Sequence, residues 1–256
     1  MKAVILAGGF GTRLSEETHL IPKPLVEIGG KPILWHIMKY LHYFGINDFI
    51  ICCGYKGYMI KEYFNNYQLH TSDVEFDFSN NKKKILIQSS ENWKVSCIDT
   101  GEDTMTGGRL KKIKNYIKNE KHFLFTYGDG LCNLDIKKLE KFHIKNKKLA
   151  TVTGVFPPGR FGALETNNGV VTKFKEKPDG DGNRINGGYF ILNPRVIDFI
   201  DTDRSIWEKE PMETLANMRE LTCYNHDNFW RPMDTLRDKN YLEDLWNTNK
   251  APWKIW

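Results

Sequence analysis

Leu6-Ala7-Gly8-Gly9-Phe10-Gly11-Thr12-Arg13 places three glycines and then a cation directly after the apolar run 3–6. Glycines there leave backbone amides unobstructed, so the loop can wrap a phosphate or approach the face of a base. It is not a P-loop, because no Lys-Ser or Lys-Thr follows at the required spacing, and Leu14 occupies the place of the third glycine of a dinucleotide fingerprint. Its distinguishing feature is charge. Arg13 lies inside the loop, and Lys23 follows between Pro22 and Pro24, which stiffen the backbone that carries it. Two positioned cations beside a glycine loop point to a triphosphate.

Asp129 stands in Tyr127-Gly128-Asp129-Gly130, just past the strand-like run 122–126, where the carboxyl ends of parallel strands meet a ligand crevice. It is a candidate metal carboxylate, although its glycine neighbours equally suit an ordinary turn aspartate. Asp234, in Pro232-Met233-Asp234-Thr235, precedes a helical pattern and could cap it. No catalytic triad is recognisable. The cysteines (Cys52, Cys53, Cys97, Cys132, Cys223) are odd in number and form no C-x-x-C pair, so they read as free thiols rather than a disulfide framework or zinc site.

The elements that must carry these residues follow from periodicity. An apolar run at 3–6, a helical pattern through Leu34, Ile37, Met38 and Leu41, and the buried-strand run 48–53 make a strand-helix-strand opening. A helix over 56–65 follows, then an irregular stretch with the basic run Lys82 to Lys84. The pattern continues with a strand at 95–99, a helix at 107–117, a strand at 122–126, a helix at 135–146 and a strand at 150–156. This half reads as doubly wound α/β with a mostly parallel sheet. From Pro157 the grammar changes to short strands (170–175, 189–192) and helices near 194–200, 211–218 and 236–246, as of a small α+β elaboration folded onto the first half. With 256 residues, 40% hydrophobic and 13% aromatic, the chain is expected to be one folded domain. A net charge of +5 suits an anionic small molecule as well as nucleic acid, but the basic residues lack the interleaved aromatics of a nucleic-acid module. No apolar stretch is long enough to span a bilayer and no secretory signal is seen, so a cytoplasmic protein with neither membrane nor nucleic-acid partner is expected.

Gly-Gly-x-Gly-Thr-Arg-Leu at the loop, Pro-Lys-Pro-Leu at 22–25 and Gly-x-Pro-Ile-Leu at 30–34 together resemble the nucleotidyltransferases that join sugar 1-phosphates to nucleotides. Further runs, among them DFIICCGYKGY, MTGGRLK, FLFTYGDG, FPPGRFGAL, INGGYF and PMDTLRD, resemble the branch of that family acting on CTP and α-D-glucose 1-phosphate. The likeness runs essentially end to end and is weakest over 80–94.

The resemblance implies a single domain over 1–256, with nucleotide binding in 1–156 and sugar binding and oligomerisation in 157–256. It implies Mg2+ at Asp129 and Asp234, and nucleotide contacts from Leu6, Ala7, Gly8, Gly9, Phe10, Gly11, Thr12, Arg13, Lys23 and Gly128. Arg13 and Lys23 carry the catalytic charge, and Thr104 and Arg109 meet the cytosine side. Lys177 contacts the sugar phosphate, Glu176 accepts from sugar hydroxyls, and Gly162, Asn186 and Gly188 line the sugar. It also implies a homo-oligomer, with a hexamer as the suggested assembly and the aromatic-rich tail 246–256 as its surface. Two alternatives stand beside it: uridylyl or thymidylyl transfer to a sugar phosphate, and a regulatory subunit without catalysis.

Overall fold

Every residue of β1 (Ala3–Ala7) is buried, as a strand covered on both faces must be. Its side chains alternate: Ala3, Ile5 and Ala7 enter one core, Val4 and Leu6 the other. The computed structural model describes residues 1–14, 18–87, 91–157, 163–167, 170–175 and 183–256, with the backbone alone at Arg13, 163–167 and 173–175. After β1 come β2 (Glu27–Ile28), β3 (Lys31–Pro32), α1 (Ile33–Tyr43), β4 (Asp48–Cys53), α2 (Gly57–Asn65), α3 (Tyr67–Thr71), β5 (Asp73–Asp77), β6 (Lys82–Ile87) and β7 (Lys94–Asp99). Then follow α4 (Thr106–Lys112), α5 (Lys114–Ile117), β8 (Phe123–Tyr127), β9 (Gly130–Cys132), α6 (Ile136–Asn146), β10 (Ala150–Val155), β11 (Ala163–Asn167) and β12 (Val170–Lys175). The chain ends with β13 (Ile185–Leu192), a 3-10 turn over Pro194–Phe199, α7 (Glu210–Asn217), β14 (Leu221–His226), β15 (Trp230–Pro232) and α8 (Leu236–Asn247).

The central sheet has seven strands in the order β14-β10-β13-β8-β1-β4-β7. β1 lies parallel between β4 and β8, and β7 and β14 extend the edges in parallel. β13 alone is reversed, antiparallel to both β8 and β10. The fold is therefore mixed and mostly parallel, as the sequence implies. The reversal matters for the site, because β13 brings its beginning, rather than its end, to the edge where β1 and β8 finish. β13 and β14 lie in the same sheet as β1, so the second half supplies two of its seven strands, while β11, β12 and β15 lie in small two-stranded sheets outside it.

Three local readings are corrected. The irregular stretch around Lys82 to Lys84 is the hairpin β5-β6, with Glu75 opposite Lys84 and Asp77 opposite Lys82. Three consecutive lysines mask the period-two alternation of Val74, Phe76, Ile85 and Ile87. The helix over 107–117 is two short helices that meet at Ile113. The aromatic tail is not free surface: Trp253 is fully buried, stacked on Phe229 and donating to His36 Nδ1 across 3.3 Å. A cluster of aromatic rings around His36, on α1, takes Trp253 into the chain's own core and packs Trp246 against it, while Trp256 is part-buried and Ile255 exposed.

His36 and His143 are buried, and burial lowers both pKa values from 6.5 to about 4. The neutral form is favoured in the folded state, so the stabilisation is complete above pH ~6.5 and is lost as pH falls toward ~4. Chemical unfolding near pH 7 and near pH 5 is expected to differ by roughly 1–2 kcal/mol for each histidine. Equal stability at the two pH values would contradict the buried neutral assignment.

Candidate active site

The glycine loop leaves the C-terminal end of β1 and is held at Gly11 by Thr18 Oγ1, 3.0 Å from its carbonyl, and at Gly8 by Tyr55 N at 3.1 Å and by the Arg109 side chain. Arg109, on α4 and only 4% exposed, donates from Nη2 to Gly8 O at 2.9 Å and Glu102 O at 3.0 Å. From Nη1 it reaches Cys53 O at 3.2 Å, Thr100 Oγ1 at 2.7 Å and Gly101 O at 2.7 Å. It thus ties the ends of β1, β4 and β7 together. Burial depresses its pKa, but a guanidinium stays charged in a protein. Gly8 must be glycine here, since a Cβ would stand 2.3 Å from Arg109 Nη1. Arg109, expected to meet the cytosine side, lines the cleft, and with both Nη groups engaged by these carbonyls and Thr100 it also fixes the loop. Thr104 is buried beside it, with its hydroxyl accepting from Lys112 Nζ at 3.3 Å.

Asp129 and Asp234 come from distant parts of the chain and are fastened side by side by a short ladder. β9 begins immediately after Asp129 and pairs antiparallel with β15, which ends just before Asp234; Gly130 lies opposite Pro232 and Leu131 opposite Arg231. The backbone adds Met233 N to Asp129 O at 2.8 Å, and Tyr189 Oη donates to Gly130 O at 2.7 Å. Asp234 is not the helix cap its position allows. Thr235 is the N-cap of α8, in a capping box with Asp238, which leaves the Asp234 carboxylate to the cleft.

Both carboxylates meet one ammonium. Lys23 Nζ lies 2.6 Å from Asp129 Oδ2 and 2.8 Å from Asp234 Oδ1. Burial alone would lower the lysine pKa, but the pair of carboxylates outweighs it and holds the pKa above its ordinary value.

Across the cleft, β13 opens with Asn186-Gly187-Gly188. Gly188 adopts φ +76°, and a Cβ there would come within 2.6 Å of the Tyr127 ring. Its N–H donates to Asn186 Oδ1 at 2.8 Å, and the register with β10 shifts at this point, as at a bulge. Tyr127 Oη donates to Glu208 Oε1, and Thr106 Oγ1 donates to Glu208 Oε2 at 2.7 Å. Burial and the adjacent Glu208 carboxylate raise the Tyr127 pKa, so the phenol remains a donor.

These groups enclose a cavity of about 960 Å³. Its walls include Leu6 through Thr12, Lys23, Thr104, Arg109, Gly128, Asp129, Asn186, Gly188 and Asp234. Among the described lining residues, the carboxylates Glu102, Asp103, Asp129, Glu208 and Asp234 outnumber the cations Lys23, Arg109 and Arg204.

The nucleotidyl transferase family model matches residues 2–247. The glucose-1-phosphate cytidylyltransferase of Salmonella typhimurium is 61% identical over 256 residues, covering all of both chains. The chain belongs to the nucleotidyl transferase family. A probable glucose-1-phosphate cytidylyltransferase of Bacillus subtilis is 46% identical over the full length of both chains. The crystal structure of HddC from Yersinia pseudotuberculosis matches with a TM-score of 0.68 at 26% identity, over 96% of this chain and 99% of that one.

Of the site residues expected from the sequence, Leu6 through Thr12, Lys23, Thr104, Arg109, Gly128, Asp129, Asn186, Gly188 and Asp234 line this one cavity. The Arg13 side chain, Gly162, Glu176 and Lys177 lie outside the described residues. Glu208, Tyr127, Arg204 and Trp230 line the cavity and were not anticipated. Tyr127 was within reach of sequence reasoning, since it ends β8 beside Asp129. Glu208 sits in a polar stretch with no local motif, and only the fold brings it to Tyr127.

Proposed function

We propose that this nucleotidyl transferase moves the cytidylyl group of CTP onto α-D-glucose 1-phosphate, giving CDP-glucose and pyrophosphate. The observation that carries the reading is the full-length 61% identity to a glucose-1-phosphate cytidylyltransferase. The cleft is chemically compatible with it. A phosphate monoester has a second pKa of about 6 and arrives deprotonated, so an oxygen of glucose 1-phosphate can attack the α-phosphorus of CTP without a protein base. The bond from that phosphorus to the bridging oxygen breaks, and pyrophosphate leaves with the electron pair. The chain's contribution is alignment and charge. The glycine loop, fixed by Arg109, presents backbone amides, and Lys23 supplies a cation beside them.

The two converged carboxylates suit Mg2+, a hard ion that takes one or two carboxylates together with substrate phosphate oxygens. The excess of acidic over basic side chains among the described lining residues points the same way. Held by Asp129 and Asp234, Mg2+ would neutralise phosphate charge at the reacting centre. We assign Lys177 and Glu176 to the sugar phosphate and hydroxyls, and Arg13 to the triphosphate, on the family resemblance. The same resemblance supports a homo-oligomer, with a hexamer as the expected assembly; exposed Phe76, Phe78, Leu86 and Ile87 on the β5-β6 hairpin offer apolar surface for it. We place the reaction in the cytoplasm. No helix among the described residues is long and apolar enough to cross a membrane.

Pyrophosphate release with glucose 1-phosphate and Mg2+ should be fastest with CTP, weaker with UTP and dTTP, and marginal with ATP and GTP. Cytosine and uracil differ by an amino-for-oxo exchange, which a well-placed hydrogen bond can discriminate strongly. Comparable turnover with a purine triphosphate would overturn the assignment of the base, and no turnover with any triphosphate would favour a regulatory subunit.

A further inference from the structure

Lys23 stands at the position that a cation shared by Asp129 and Asp234 would have to take. Its ammonium is within hydrogen-bond distance of both carboxylates, and its side chain is 12% exposed. The backbone beneath is fixed by Pro22 and Pro24 and by bonds from Leu25 N to Pro22 O at 2.8 Å and from Val26 N to Lys23 O at 3.1 Å. Only the side chain is therefore free to change partners, by rotation about its own single bonds. Among the described residues, no third His, Cys, Asp or Glu joins the two aspartates. Two carboxylates already answered by an ammonium make a poor site for a free divalent ion, which would have to displace that ammonium and find its remaining ligands in water.

We propose that Lys23 is a tethered counter-ion that closes the carboxylate pair to free divalent cations until a triphosphate arrives. The proposal rests on the reading of Asp129 and Asp234 as metal ligands. A triphosphate offers the ammonium phosphate oxygens in exchange for the carboxylates, so the lysine keeps a partner throughout and the carboxylates are released as it leaves. Metal and nucleotide then enter as a coupled pair, and linkage requires each to raise the affinity for the other. The arrangement also avoids two costs in the free protein: a buried ammonium without a partner, and adjacent carboxylates without a counter-charge.

The test is Mn2+ binding to the full-length protein, followed by the electron paramagnetic resonance of the free ion, with and without CTP. Wild-type protein should bind Mn2+ weakly alone and more tightly with CTP. Lys23→Met, checked for native circular dichroism, should bind Mn2+ without nucleotide at least about tenfold more tightly than wild type, a change of about 1.4 kcal/mol. Lys23→Gln serves the same comparison if the methionine variant does not fold. Adding Asp129→Asn to either variant should erase the gain. Arg204→Gln removes a cavity cation at another position and should leave nucleotide-free Mn2+ affinity within about twofold, which separates occupation of the site from general repulsion. A folded Lys23 variant that binds Mn2+ no more tightly than wild type would overturn the counter-ion role, as would an equal gain from Arg204→Gln. Failure of wild-type protein to bind CTP would instead overturn the cytidylyl-transfer reading, so the two failures are distinguishable.

Discussion

Asparagine at Asp129 or at Asp234 is expected to lower turnover by about a hundredfold to a thousandfold while leaving the fold intact. The two side chains are brought together by the β9-β15 ladder, which is made of backbone bonds and does not depend on either carboxylate. Helix α8 keeps its capping box through Thr235 and Asp238. Lys23 retains one carboxylate in either variant, so unfolding free energy should change by no more than about 1 kcal/mol. Steady-state rates with CTP and glucose 1-phosphate, set against urea unfolding curves, check this. Near-normal turnover in either variant would remove that carboxylate from the chemistry.

Arg109→Met is expected to act through the opposite channel, destabilising the protein by roughly 3–5 kcal/mol. The substitution fills much of the same space but withdraws the guanidinium donors from the carbonyls of Gly8, Cys53, Gly101 and Glu102 and from the Thr100 hydroxyl, although Gly8 O keeps Tyr55 N and Cys53 O keeps Thr100 N and Oγ1. Those acceptors are gathered at the ends of three strands, and the bonds to Gly8 O, Cys53 O and Thr100 Oγ1 are buried. The glycine loop should loosen with them, so CTP affinity falls even where the protein is still folded. Urea unfolding measures the first effect and calorimetric titration with CTP the second. Stability within about 1 kcal/mol of wild type would show that the tether is dispensable.

The parts of this fold that show in the sequence are those where burial is two-sided and local. β1 and β4 are uninterrupted apolar runs because both of their faces are covered, and the glycine loop and the Tyr127-Gly128-Asp129 turn follow directly from where such strands end. The sequence shows β13 only at 189–192, because Asn186-Gly187-Gly188 looks like a turn; the chain forms a strand there with a local irregularity. Its reversed direction has no local signature at all. The β5-β6 hairpin was hidden by its own charge pairs. In the site, Lys23 and the two aspartates are legible as residues, but their meeting is a property of the β9-β15 ladder, whose strands are short and carry little pattern. Arg109 is legible by its place in a motif, whereas the carbonyls that its Nη groups hold lie at the ends of three strands and carry no local signature. Glu208 is not legible in the sequence, because a carboxylate becomes informative only when its partners, here Tyr127 and Thr106, are known.

The most direct test of cytidylyl transfer follows the atoms. CTP labelled with 32P at the α-phosphorus, incubated with the protein, glucose 1-phosphate and Mg2+, should place the label in CDP-glucose, leave the released pyrophosphate unlabelled, and give no sugar nucleotide when glucose 1-phosphate is omitted. Label recovered only as CMP or unreacted CTP in the complete mixture would contradict transfer to the sugar phosphate.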